Sequence, residues 1–64
     1  MQTTTNHGSL LTADAVAEML GVKRNWVYAQ SRAGRIPTVK LGRYFRYRRE
    51  AIEQWVVTRE VGGS

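Results

Sequence analysis

Lys23, Arg24, Arg32, Arg35, Lys40, Arg43, Arg46, Arg48 and Arg49 are nine of the ten Lys and Arg residues in a chain of 64. No Asp or Glu interrupts the stretch they span, and the acids Asp14, Glu18, Glu50, Glu53 and Glu60 all lie outside it. The chemistry open to such a set is anion recognition, because Lys and Arg donate charge-assisted hydrogen bonds to phosphate oxygens. Like charges crowded into a small domain repel one another and destabilise its compact state. A densely negative partner is therefore expected, and duplex DNA, with one phosphate charge per ~1.7 Å of axis, leads the candidates. The net charge of +5 agrees.

Other chemistries are poorly provided for. His7 is the one histidine and there is no cysteine, so neither a metal site nor a disulfide is expected. Ser31 and Asp14 make no catalytic set with a histidine in a polar leader, and no Gly-rich loop is spaced to cradle a phosphate. No enzyme activity, cofactor or small-molecule effector is expected. No apolar run approaches the ~20 residues of a membrane span, and no signal-peptide pattern opens the chain. The expectation is a cytoplasmic, nucleoid-associated protein of a bacterial or phage setting with no membrane partner. The alternation Tyr44-Phe45-Arg46-Tyr47-Arg48 also suits stacking on single-stranded bases. An interaction-only adaptor is a third class.

The elements that must position these residues are short. Residues 1–9 read as a flexible N-terminal tail, 10–61 as one domain, and 62–64 as a loose C-terminus. A domain this small buries only about 60% of the surface its unfolded chain exposes, so the core must be built from Trp26, Trp55, Phe45, Tyr44, Tyr47 and the aliphatic residues. Thr12 is a good N-cap, and Ala13, Val16, Ala17 and Leu20 form one apolar stripe, which predicts a helix over Ala13–Leu20 ended by Gly21. A second helix follows within a few residues and ends at Gly34. Its start is poorly marked, because Lys23 is a bad cap at the end where positive charge is unfavourable; Asn25 could cap a start at Trp26. Pro37 closes the helical region. Val39 to Tyr47 reads as a hairpin, and two registers compete. A two-residue Gly42-Arg43 turn pairs Leu41 with Tyr44. A three-residue loop pairs Leu41 with Phe45 and Val39 with Tyr47, and it is favoured because it gathers four apolar side chains on one face. Lys40 and Arg46 would then stand opposite each other on the outer face. Ile52, Trp55 and Val56 place a last helix over about Arg49 to Glu60.

Two short helices joined at Gly21, with small Ala17 four residues before it and Val27 six after it, have helix-turn-helix spacing. From Leu11 to Val56 the chain resembles the winged helix-turn-helix domain of the phage excisionase and AlpA-like group, related to the MerR type. The matching segments are LLTADAVAEMLGV and VYAQSRAGRIPTVKLGRYFRYRREAIEQWV. The most specific part is the run from Gly34 to Glu50 followed by an apolar helix ending in Trp. Two positions depart from the pattern. Lys23 stands where Ser or Thr is common, and Gln30 stands where relatives often carry a large aromatic. Trp26, one turn before Gln30, shares its face and is expected to fill the space Gln30 leaves.

The resemblance implies an α+β fold, a small winged helix-turn-helix of three helices plus a two-stranded antiparallel wing. The second helix would enter the major groove, and a ten-residue helix ~15 Å long suits a groove ~12 Å wide. With Val27 inward, Lys23, Arg24, Asn25, Tyr28 and Arg32 face outward. Arg24 would read guanine and Asn25 adenine, while Tyr28 and Arg32 would contact phosphate or sugar. Lys40, Arg43 and Arg46 on the wing, and Arg48 and Arg49 beside it, would hold the DNA backbone, with Arg43 placed for a narrow minor groove. The function implied is sequence-directed binding and bending of double-stranded DNA. An excisionase-type recombination directionality factor would do this with an integrase in site-specific excision, copies lying side by side on tandem sites. The alternative is a small AlpA/MerR-like transcriptional regulator on an operator. The long coiled-coil helix that pairs MerR-type dimers has no counterpart here, which argues against an effector-sensing MerR protein.

Overall fold

One hydroxyl cap and two left-handed glycines set three of the helix limits in the computed structural model, which describes residues 10–62. The tail expected at 1–9 and the last two residues lie outside the described residues. Helix α1 spans Ala13–Leu20, and the Thr12 hydroxyl accepts from the Ala15 amide at 3.2 Å. Gly21 ends it at φ 71°. The Val22 amide donates to Ala17 O at 2.9 Å and the Gly21 amide to Glu18 O at 3.3 Å, the paired bonds of a Schellman stop. Helix α2 spans Arg24–Ala33 and ends the same way at Gly34, where the Arg35 amide donates to Gln30 O at 2.9 Å. The start that the sequence marks poorly lies at Arg24, not at Trp26 behind an Asn25 cap: Lys23 is the N-cap residue, and no side chain caps the helix. The compact Schellman turn leaves only Gly21, Val22 and Lys23 between the helices, so α2 begins before Asn25 can take the cap position.

The wing consists of β1 (Val39–Leu41) and β2 (Tyr44–Arg46), paired antiparallel. Its register is the one not favoured from the sequence. Val39 faces Arg46, Lys40 faces Phe45 and Leu41 faces Tyr44 across a two-residue Gly42-Arg43 turn. Two physical reasons decide it. Gly42 sits at φ 62°, which a tight hairpin turn needs. Tyr47 is already taken: it exchanges backbone bonds with Leu11, at 2.9 Å and 2.6 Å. Val39 therefore has no Tyr47 to pair with, and no four-residue apolar face forms. Leu41 and Tyr44 are exposed at 48% and 53%. Lys40 and Arg46 consequently lie on opposite faces, which removes the like-charge clash a shared face would create.

Helix α3 spans Arg49–Arg59, with Glu60 as its C-cap residue. The core unites Ala13, Val16 and Ala17 of α1, Val27 of α2 and Ile52 of α3 with Ile36, which follows α2, and Tyr47, which follows β2. Ala17 and Val27 are buried where α1 and α2 pack, as helix-turn-helix spacing requires. Trp55 is half-buried against this core, and its indole N–H donates to Arg35 O at 2.9 Å.

Candidate nucleic-acid interface

One side chain joins the wing to α2. Tyr47 is fully buried, and its hydroxyl lies 2.7 Å from Ser31 Oγ. Ser31 donates its own proton to Val27 O at 2.8 Å, so the Tyr47 hydroxyl is the donor between them. The bond runs from the strand that continues β2 to the buried face of α2. A second contact supports it: the Tyr28 and Phe45 rings meet at 6.4 Å between centroids, tilted by 46°. The wing is thereby held against the same helix that presents the outward polar residues.

The result is a shared cleft. Tyr28 and Arg32 from α2 line it with Arg43, Tyr44, Phe45 and Arg46 from the wing. Of the expected residues, Tyr28, Arg32, Arg43 and Arg46 are thus brought together. Tyr44 was not among them. Its ring carries the Arg43 guanidinium carbon at 5.6 Å and that of Arg46 at 5.4 Å. Such cation–π contacts contribute ~0.5–1 kcal/mol at exposed sites and keep two cations at the cleft mouth. Arg46 also donates from Nη1 to Phe45 O at 2.7 Å. A signal for Tyr44 was present: residues two apart on a strand share a face, so Tyr44 and Arg46 are neighbours whatever the register.

The other expected residues flank the cleft. Lys23, Asn25, Lys40, Arg48 and Arg49 are exposed and line none of it. Lys40 stands across from Phe45, and Arg48 and Arg49 begin α3, where the N-cap position is Arg48 and no side chain caps. Both α2 and α3 thus start with a cation and no side-chain cap. Helix α3 has Glu50 in its first turn, whereas α2 has no acid of its own there. The start of α2 is therefore the one an approaching anion would favour more. Arg24 opens α2 and is paired: its Nη1 lies 3.1 and 3.3 Å from the two Asp14 carboxylate oxygens. With side chains 56% and 68% exposed, such a pair contributes ~0.2–1 kcal/mol at most. Nothing local in the sequence marks Asp14 as its partner, ten residues away.

Trp26 corrects another expectation. It stays 41% exposed and forms one wall of an open apolar groove with Leu20, Val22, Gln30 and Trp55. It therefore borders the space beside Gln30 without filling it. Among the described residues no group of acids and histidine could hold a metal ion, and no helix is long and apolar enough to cross a membrane.

A helix-turn-helix domain model matches residues 10–59, the segment that holds all three helices and the wing. The chain belongs to that helix-turn-helix family, and it is a small winged DNA-binding domain. No curated protein and no solved structure matches it.

Proposed function

We propose that this protein is an excisionase-type recombination directionality factor, docking on duplex DNA and bending it beside an integrase. The observation that supports the docking is the cleft in which Tyr28 and Arg32 of α2 meet Arg43, Tyr44 and Arg46 of the wing. A helix and a cationic finger joined at one cleft can follow a major groove and the backbone beside it. In this reading Arg24 and Asn25 read bases, and Tyr28 and Arg32 contact phosphate or sugar. Lys23 lies against the backbone at the start of α2. Lys40, Arg43, Arg46, Arg48 and Arg49 neutralise phosphates. Wing contacts on one side of the groove favour a bent duplex, because bending brings more phosphates within reach of the same cations.

Gel shifts with circularly permuted fragments of an integrase attachment region test the proposal. Tandem direct sites, a ladder of shifted species and position-dependent mobility are expected. Addition of the integrase should then favour excision over integration. A single palindromic operator at a promoter, bound without bending, would overturn the excision role in favour of a transcriptional one.

A further inference from the structure

Arg24–Asp14 is the one ion pair among the described residues. It is also oddly placed. Asp14 stands in the first turn of α1 and Arg24 opens α2, so the bond ties together the starts of the two helices. An acid at the edge of a DNA-facing helix repels phosphate and lowers affinity for every duplex. Its presence there calls for a compensating role, and the atoms involved suggest one. Both carboxylate oxygens contact the same nitrogen, Nη1, at 3.1 and 3.3 Å. A guanidinium has five N–H donors in a fixed plane. With Nη1 engaged, the edge formed by Nη2 and Nε still offers two parallel donors, the pattern that matches guanine O6 and N7. Both side chains are more than half exposed, leaving that edge open to approach.

From this geometry we propose that Asp14 is a positioning residue for base recognition: it holds the Arg24 guanidinium by one nitrogen and leaves the opposite edge aimed at a guanine. The carboxylate acts in two ways that both sharpen discrimination. It removes rotamer freedom that Arg24 would otherwise lose on binding, and its charge weakens sequence-independent attraction to the backbone. The inference rests on Arg24 contacting a base, as the proposed function holds.

The test begins with selection of preferred sites from a random duplex library, followed by affinities for a full single-base substitution series. Wild type, Asp14→Asn, Asp14→Glu, Arg24→Ala and the Asp14→Asn/Arg24→Ala double variant are compared, with thermal unfolding verifying that each is folded. Asp14→Asn should lower the preference for guanine at one position by about 1.4–5-fold, the range expected for an exposed ion pair. Affinity for unrelated duplex should rise at the same time. Asp14→Glu, which keeps the charge at the start of α1, should recover part of the preference and restore the low unrelated affinity. In the Arg24→Ala background, Asp14→Asn should change no base preference. A uniform rise for all sequences with the guanine preference intact would overturn the positioning role and leave Asp14 a mere competitor. If Arg24→Ala itself alters no base preference, the base-reading role of Arg24 fails first, and this inference with it.

Discussion

Replacing Ser31 with Ala tests whether one buried hydrogen bond holds the wing to α2. Ser31 is 4% exposed and Tyr47 fully buried, and no buried side-chain polar atom among the described residues lacks a partner. Ser31→Ala strands the Tyr47 hydroxyl in the core, which costs about 1–3 kcal/mol. The greater helix propensity of Ala offsets up to about 0.5 kcal/mol of that. Tyr47→Phe has a different consequence, because Ser31 still donates to Val27 O at 2.8 Å. It should cost about 0.5–1.5 kcal/mol. The double variant leaves no stranded group, so it should be less destabilised than the sum of the two single changes by about 1 kcal/mol or more. A domain of this length has only ~3–10 kcal/mol of stability to lose, so these changes are readily measured. Urea denaturation with a common m-value reads them directly. Ser31→Ala should also weaken DNA binding for all sequences, since the wing is no longer pinned to the helix. Strict additivity of the two single changes would refute the reasoning, because it would mean the hydroxyls do not interact.

Further outcomes concern salt, the two DNA-facing arginines, the wing aromatic and the first helix stop. With about five phosphates neutralised, log K against log salt should fall with a slope of roughly −4 to −5; a flat dependence in a filter-binding titration would contradict the electrostatic reading. Arg43→Ala should weaken all duplexes about equally, whereas Arg24→Ala should cost ~1–3 kcal/mol at one base pair, both read from competition gel shifts. Tyr44→Ala should leave the melting temperature nearly unchanged, since the ring is 53% exposed, yet lower affinity for unrelated DNA by releasing Arg43 and Arg46. Gly21→Ala should destabilise by about 1–2 kcal/mol through its left-handed conformation alone, because an added Cβ meets nothing within 4 Å; a thermal melt shows it.

Much of this molecule is decided locally. The ends of α1 follow from Thr12 and Gly21, and the end of α2 from Gly34, because a cap or a left-handed stop involves residues within six of one another. The inward positions Ala17 and Val27 follow from helical period, and the cationic window from composition. The wing register is not local. Pairing the most apolar residues assumed that the hairpin face is the core face, whereas Tyr47 is claimed by Leu11 and by Ser31, residues 36 and 16 positions away. Gln30 and Trp26 follow the same rule, since the groove they border is walled by Leu20 and Val22 from one stretch of the chain and by Trp55 of α3 from another. The Arg24–Asp14 pair depends on how α1 crosses α2, an angle set by packing of the buried faces. Short-range chemistry thus determined which segments are helix, turn and finger and where positive charge accumulates. Which finger residue pairs with which, and which single arginine is held by an acid, was decided only when distant segments competed for the same buried partners.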